Sequence, residues 1–86
     1  MNVILVYDVN KKRVGKVLKI CRKYLTRIQN SVFEGYVTES KLFNLKKELE
    51  RIINQKQDSI CIYKINFIKS IEKEEIGYVK QIEKII

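Results

Sequence analysis

The sequence predicts an α+β fold with the element order βαββαβ and a short additional strand at the C-terminal end. Three observations support this prediction. The chain has 86 residues, which is the length of a single domain. Two stretches show the apolar spacing of amphipathic helices. Shorter stretches around them show the continuous or alternating apolar pattern of strands. Residues 1–86 are therefore predicted to form one domain.

The first strand is predicted at residues 2–8, a continuous run of apolar and β-branched residues that ends at Asp8. The first helix is predicted at residues 11–25, where apolar residues recur at helical spacing. Gly15 inside this helix costs about 1 kcal/mol relative to alanine, which suggests that something approaches the helix closely there. The opposite side of the helix carries lysines that we call the basic arc: Lys12, Lys16, Lys19 and Lys23.

The rest of the chain completes the element order. Two short strands are predicted at residues 27–29 and 32–37, with a turn or bulge between them. Thr38 is a suitable N-cap for a second helix that ends near Asn54. Residues 59–65 alternate as a strand with one fully apolar face and one partly apolar face. This order in a chain of this length predicts the ferredoxin-like fold, an antiparallel sheet with both helices on one face.

The face of the sheet opposite the helices needs a cover. Because a short chain buries a small share of its surface, we expect two copies to pair their sheets face to face as a homodimer. Residues 66–86 have a looser pattern that is interrupted at Gly77. We expect a short last strand in this C-terminal extension, and we expect it to pair with the sheet edge of the partner subunit.

Composition excludes several classes of chemistry. The chain has no histidine, so an imidazole base, a Ser-His-Asp triad and a histidine-based zinc site are excluded. Its three glycines are isolated, so there is no glycine-rich phosphate loop. Cys21 and Cys61 are interpreted as buried thiols. No apolar run is long enough to span a membrane, so no membrane association and a cytoplasmic location are expected.

The positive charge lies mainly in the first half of the chain. The net charge is +8, and residues 1–38 hold eight basic and two acidic side chains. A basic bias attracts the phosphate backbone of nucleic acid or an anionic surface, in a salt-sensitive way. The alternative interpretation is a solvated surface that only keeps the protein soluble.

Asp8 is the carboxylate that stands out. The other acidic residues have structural interpretations: Glu39 suits a helix start, and Asp58 is interpreted as a turn residue before a strand. Asp8 ends the most apolar strand and is followed by a run that contains bases but no acid. A carboxylate oxygen suits magnesium or manganese, and a two-fold axis would bring a second one. The alternative is that Asp8 only closes the strand in an Asx turn.

Three segments carry a resemblance to a known family. They are Val6-Tyr7-Asp8-Val9 followed by Arg13 and Lys16-Val17, the run RIQNSVFEG from Arg27 to Gly35, and the segment DSICIY at residues 58–63. In order and spacing they resemble the CRISPR-associated Cas2 family over about residues 2–65. The pair Ile76-Gly77 and the apolar end are similar to the C-terminal strand of that family.

The resemblance implies a ferredoxin-like dimer that works with the Cas1 integrase to capture and insert spacers. It implies a metal-dependent endonuclease that acts on single-stranded RNA, with DNA left open as a second substrate and with magnesium or manganese as cofactor. Asp8 resembles the catalytic, metal-binding aspartate. Other positions resemble residues that shape the site or bind nucleic acid: Tyr7, Arg13, Arg27, Ser31 and Phe33. One departure is Val14-Gly15 after Arg13, where some members carry a second arginine.

Alternatives remain open for several of these residues. Tyr7 and Phe33 also fit an apolar core, and Arg27 also fits a simple surface charge. The whole protein also fits a catalytically idle DNA-binding subunit, in which the basic surface holds a duplex while Cas1 joins the strands. An RNA-recognition module has the same element order, but the aromatic and glycine motif of its third strand is missing.

Overall fold

The structure is a computed structural model that describes residues 1–65 and 71–78. Within these residues it has two helices and five strands: β1 (Asn2–Asp8), α1 (Lys11–Cys21), β2 (Thr26–Gln29), β3 (Val32–Tyr36), α2 (Glu39–Ile52), β4 (Ser59–Ile65) and β5 (Ile71–Gly77). The order confirms the predicted βαββαβ pattern with a strand added after it.

The strands form a single antiparallel sheet in the order β2-β3-β1-β4-β5. The continuous apolar strand β1 is central and pairs with β3 on one side and β4 on the other. A strand covered on both sides by neighbours can be apolar throughout, which explains its composition. The predicted α+β, ferredoxin-like fold is confirmed.

The two faces of the sheet differ in burial. Val3, Leu5 and Tyr7 of β1 are buried in the core, which the two helices cover on one side of the sheet. The alternate residues Ile4 and Val6 are half-buried on the opposite side. We call the two sides the helix face and the open face. Among residues 1–65 and 71–78, no helix or strand covers the open face.

Helix α1 ends earlier than the sequence predicted. The prediction extended to residue 25, but the helix ends at Cys21 and a turn follows. Leu25 remains in the core, and its N–H donates to the carbonyl of Cys21 at 2.8 Å. The apolar spacing continues past the helix because the turn still covers the core. After this turn the backbone becomes extended at Thr26, where β2 begins.

Helix α2 agrees with the prediction at its start and nearly at its end. The Thr38 hydroxyl accepts a hydrogen bond from the N–H of Lys41 at 3.2 Å, which confirms the N-cap. The helix ends at Ile52, where the backbone becomes extended. Its buried face consists of Leu42, Leu45 and Leu49, at helical spacing.

Strand β5 lies on an edge of the chain's own sheet. We expected the C-terminal extension to pair with the partner's sheet, whereas residues 71–77 pair with β4 of the same chain. Glu74 of β5 contacts Lys46 of α2 at 2.7 Å and Lys64 of β4 at 3.0 Å, which ties the strand to its own domain. Residues 66–70 and 79–86 lie outside the described residues, so pairing of the end of the chain with a partner stays a prediction.

The two helices are short compared with the thickness of a membrane. No helix in the described part of the chain is long and apolar enough to cross one.

Candidate active site at the end of the first strand

Asp8 is the last residue of β1 and is exposed. Alternation along the strand places its side chain on the open face, on the same side as Val6 and Ile4. Its backbone partner on the neighbouring strand is Ser59, the first residue of β4. The site is therefore built where one strand ends and the adjacent strand begins.

Asp8 lines a cavity of about 290 Å³. Ser59, Lys73 and Glu75 also line this cavity, together with Cys61 and three tyrosines, Tyr7, Tyr63 and Tyr78. Lys73 Nζ lies 3.5 Å from Glu75 and 5.8 Å from the centroid of the Tyr63 ring. The cavity therefore combines two carboxylates, a serine hydroxyl, a cation and tyrosine side chains.

The donor set fits a magnesium ion only if the ion keeps other ligands. In residues 1–65 and 71–78 there is no group of three or more Cys, Asp or Glu side chains placed to hold a metal. The described residues therefore do not provide a closed cage. Magnesium is commonly held by one or two carboxylates, with water and phosphate oxygens completing its shell. Asp8 suits the role of one such carboxylate.

Tyr7 and Phe33 lie in the core, beneath the open face. Both are buried, and their ring centroids are 6.3 Å apart at an angle of 34°. Tyr7 contributes to the wall of the Asp8 cavity but its ring contacts Phe33. The two aromatic residues therefore support the strand that carries Asp8.

Ser31 holds the end of β1 through its backbone. It has φ 67°, in the left-handed region, within the turn between β2 and β3. Its carbonyl accepts a hydrogen bond from the N–H of Tyr7 at 3.0 Å. This hydrogen bond joins Ser31 to Tyr7, the residue before Asp8, on the side of β1 opposite to Ser59.

Arg13 forms an ion pair inside its own chain. Its Nε lies 2.5 Å from Oδ2 of Asp58, and its Nη2 donates to Oδ1 of Asp58 at 3.1 Å and to Gln57 at 3.0 Å. The hydrogen bond from Arg13 lowers the pKa of Asp58 to about 2, with help from the N–H groups of Asn54 and Asn10. The guanidinium is occupied by these contacts, so the structure gives Arg13 a partner other than nucleic acid.

The basic arc lies on the opposite side of the sheet from Asp8. Lys12, Lys16 and Lys19 are exposed on α1, which packs on the helix face, and Lys23 is exposed in the turn that follows α1. Lys23 is paired with Glu48, which also accepts a hydrogen bond from the hydroxyl of Tyr24. These contacts lower the pKa of Glu48, and the hydrogen bond from Lys23 is the largest cause. A polyanion bound to the arc would therefore lie away from the Asp8 cavity.

Arg27 lies on the outer strand β2 and is exposed. Its Nη2 donates to Oδ1 of Asn30 at 3.0 Å, within the same hairpin. Arg27 does not contact Asp8 directly, because β3 lies between β2 and β1, the strand that carries Asp8.

The structure adds residues that the sequence did not indicate. Asp58 was interpreted as a turn residue, but it is buried and accepts hydrogen bonds from three residues, Asn10, Arg13 and Asn54. Its main partner is 45 positions away in sequence, so no local pattern could have indicated the pair. Ser59 could have been placed near Asp8 only from the register of β1 with β4.

Comparison with known families gives a match over most of the chain. The model of the family described as "CRISPR associated protein Cas2" matches residues 1–73. The CRISPR-associated endoribonuclease Cas2 of Dictyoglomus turgidum is 50% identical over 80 residues, which is 93% of this chain and 92% of that protein. The protein of the same name from Thermotoga maritima is 49% identical, with the same coverage of both chains.

Solved structures agree with these matches. The crystal structure of Streptococcus pyogenes Cas2 at pH 6.5 is similar to this chain, with a TM-score of 0.71 and 42% sequence identity. The similarity covers 77% of this chain and 87% of that one. A second structure, described as cas2, has a TM-score of 0.71 and 39% identity over 94% of this chain and 95% of that one.

Proposed function

Because this chain belongs to the CRISPR-associated Cas2 family, we propose that it is a metal-dependent endonuclease that hydrolyses phosphodiester bonds in single-stranded RNA. DNA is the second substrate class that we propose. Relatives at 50% and 49% identity carry the name CRISPR-associated endoribonuclease Cas2, which supports this assignment.

The observation that carries the proposal is the position of Asp8. It is an exposed carboxylate at the end of a central strand, it borders a cavity of about 290 Å³, and Lys73 lines the same cavity. A cation beside a carboxylate allows one group to contact a phosphate while the other holds a metal ion.

The proposed cofactor is magnesium, with manganese as a substitute. When bound, it would polarise a phosphoryl oxygen and lower the pKa of a bound water. Asp8 would hold it, and Lys73 would contact the phosphate. The chain contains no histidine, so the residues of this site offer no imidazole to take the proton of the attacking water. We therefore expect the rate of cleavage to depend on pH mainly through the ionisation of that water.

We propose that the active unit is a homodimer formed through the open face. Ile4, Val6 and Val32 are half-buried on this face, and Ile71 is 67% exposed. Pairing two such faces about a two-fold axis would bury these apolar side chains. It would also allow two copies of Asp8 to share one metal ion, which a single carboxylate holds poorly.

The proposed partners are nucleic acid and the Cas1 integrase. The basic arc would hold the phosphate backbone, and the family would place the dimer in a complex with Cas1 during spacer acquisition in the cytoplasm. Co-purification of the chain with the Cas1 of the same organism tests this partner. Elution of the two proteins at separate volumes would contradict it.

The experiment that tests the nuclease uses labelled RNA and DNA with magnesium, manganese or a chelator. We expect wild type to cleave RNA in magnesium and the chelator to stop cleavage. We expect Asp8→Asn to lose activity because asparagine keeps the size and one oxygen but removes the charge that binds the metal. The matched control is Glu34→Gln, which makes the same change at another exposed carboxylate on the open face, away from the cavity.

The outcomes separate the candidates. Cleavage by Asp8→Asn at the wild-type rate would place the activity outside this site. Unfolding of Asp8→Asn would favour the Asx-turn interpretation.

A second candidate function is a catalytically idle subunit that holds DNA for Cas1. One observation favours it: the basic arc and Asp8 lie on opposite sides of the sheet, so duplex binding does not require Asp8. If neither wild type nor Asp8→Asn cleaves any substrate while both bind duplex DNA and Cas1, the architectural function is correct.

A further inference from the structure

Asp58 is the buried charged residue of the described chain. Its side chain is fully buried, while every other charged side chain in residues 1–65 and 71–78 is at least partly exposed. It immediately precedes β4, and the next residue, Ser59, is the backbone partner of Asp8. A buried carboxylate is expensive unless it is fully hydrogen-bonded, so its partners indicate why it is there.

The carboxylate of Asp58 gathers donors from three segments of the chain. Oδ1 accepts from the N–H of Asn10 at 3.0 Å and from Arg13 Nη2 at 3.1 Å. Oδ2 accepts from Arg13 Nε at 2.5 Å and from the N–H of Asn54 at 2.8 Å. The loop after Asp8, the first turn of α1 and the end of α2 are therefore held by one side chain.

The loop after Asp8 has a second hydrogen bond that depends on this arrangement. The side chain of Asn10 accepts from the N–H of Lys12 at 2.9 Å and caps α1. Only Val9 separates Asp8 from Asn10. The hydrogen bond from the N–H of Asn10 to Asp58 thus sets the direction of the chain after Asp8.

The backbone of Asp58 also holds the end of β5. Its carbonyl accepts from the N–H of Tyr78 at 2.8 Å. Gly77 has φ +87°, and a Cβ atom there would lie 2.2 Å from that carbonyl oxygen. Tyr78 lines the Asp8 cavity. One residue therefore fixes both the loop behind Asp8 and a wall of its cavity.

We propose that Asp58, acting with Arg13, is a positioning residue that sets the geometry of Asp8 and of its cavity. The inference rests on the proposed function, because it concerns the same carboxylate. Asp58 does not touch the metal or the substrate. It acts by holding the N–H of Asn10 and the guanidinium of Arg13, so Arg13 serves the site through this pair and does not contact phosphate.

Groups that orient a metal ligand affect metal affinity even though they are not ligands. Removing such a group commonly weakens metal binding about 10–100-fold. Asp58→Asn and Arg13→Gln should both have this effect, and the double variant should be no worse than either single one because the two residues act as a pair. Arg13→Lys, which keeps a cation beside Asp58, should have a smaller effect.

The test measures binding of Mn²⁺ by electron paramagnetic resonance in wild type and variants, with Asp8→Asn defining the part of the binding that belongs to Asp8. The matched control is Glu48→Gln, which breaks an ion pair at the other end of α1 and far from Asp8. We expect a weaker Asp8-dependent affinity in Asp58→Asn and Arg13→Gln and no change in Glu48→Gln. A folded Asp58→Asn with wild-type affinity would overturn the inference.

A second measurement does not require a metal. Residual dipolar couplings of the backbone N–H groups report the orientation of Asn10 and Tyr78 in this 10.3 kDa chain. We expect Asp58→Asn to change the coupling of Asn10 while those of the central strand β1 stay as in wild type. Unchanged coupling at Asn10 would overturn the inference.

The two measurements separate the failure of this inference from the failure of the proposed function. If Asp8→Asn binds Mn²⁺ as wild type does, the proposed metal site fails, and the positioning role is then decided by the couplings alone. If Arg13→Lys and Arg13→Gln weaken Mn²⁺ binding equally, the ion pair is not what positions Asp8.

Discussion

Asp8 and Asp58 lie at neighbouring strand ends, but their surroundings differ. Asp8 is exposed beside a cavity, whereas Asp58 is fully buried and its oxygens accept hydrogen bonds from Asn10, Arg13 and Asn54. An exposed carboxylate is accessible to a metal ion from solvent, whereas a buried carboxylate that is fully hydrogen-bonded can stabilise the fold. The exposure of each residue, and not its type, is what supports the different role proposed for each.

The stability of the protein should depend on Asp58. Breaking a buried ion pair by removing one partner costs about 3–5 kcal/mol, so we expect Asp58→Asn to lower the free energy of unfolding at pH 7 by this order. Urea denaturation measures the change. Glu48→Gln is the control, and its loss should be much smaller because that pair is partly exposed.

The contribution of Asp58 should be lost in acid. Its folded pKa of about 2 lies below the ordinary value of 3.8, so the charged form is favoured by folding. The resulting stabilisation, about 2 kcal/mol, is fully present above the unfolded pKa and disappears as pH falls through the folded pKa. The stability difference between wild type and Asp58→Asn should therefore shrink between pH 5 and pH 2. A difference that stays constant over that range would contradict this account.

At the scale of elements, two glycines have opposite roles. Gly77 ends β5 with a positive φ and lies against the carbonyl of Asp58, whereas no atom of residues 1–65 and 71–78 outside its own surroundings in α1 lies within 4 Å of a Cβ placed at Gly15. The sequence had suggested a close approach at Gly15, and this part of the chain does not supply one.

The glycine substitutions should therefore change stability in opposite directions. Gly77→Ala combines a strained backbone with a backbone collision, and we expect a loss of about 1–3 kcal/mol. Gly15→Ala removes the cost of glycine in a helix, and we expect a gain of about 0.5–1 kcal/mol. Thermal or urea unfolding of both variants measures these changes. A Gly77→Ala protein as stable as wild type would show that the end of β5 is not held as described.

The basic arc should determine how nucleic-acid binding depends on salt. Each phosphate contact contributes about 0.9 to the slope of log affinity against log salt for duplex DNA. Lys16→Ala should therefore lower the slope by about 1, whereas Lys23→Ala should lower it less because Lys23 is paired with Glu48. A fluorescence titration at several salt concentrations measures both slopes. Slopes equal to that of wild type in both variants would remove the arc from the binding surface.

Much of the fold could be predicted from the sequence pattern. The apolar run of β1, the Thr38 cap and the apolar spacing of α2 are local signals, and the structure confirms them. The predicted end of α1 was wrong because Leu25 still covers the core after the helix has ended. The partner of Asp58 was not predictable because contacts over 45 positions follow from the fold alone.

The sequence also did not indicate that Asp8 and the basic arc lie on opposite sides of the sheet. Asp8 and Lys12 are four positions apart, and their proximity in the chain suggested one basic site. The strand directs Asp8 to the open face, and the loop then carries the chain to the helix face. Residues four positions apart therefore reach opposite surfaces, which only the geometry of the β1–α1 connection reveals.

At the scale of the whole molecule, the open face should determine the oligomeric state. Ile4 is half-buried on this face, so Ile4→Glu would place a charge within the proposed interface. We expect wild type to scatter light as a dimer at micromolar concentration and Ile4→Glu as a monomer. The control is Phe43→Glu on α2, where Phe43 is 55% exposed on the helix layer, and it should remain a dimer. A monomeric wild type would contradict the proposal.

Two copies of Asp8 are proposed to share one metal site across a two-fold axis, and a mixing experiment tests this sharing most directly. Wild type and Asp8→Asn are combined in equal amounts, allowed to exchange subunits, and assayed for RNA cleavage in magnesium at fixed total protein. If both carboxylates are required, only dimers with two wild-type chains cleave, and activity should fall to about a quarter of wild type. Activity at about half of wild type would show that each chain acts alone and would contradict the shared site.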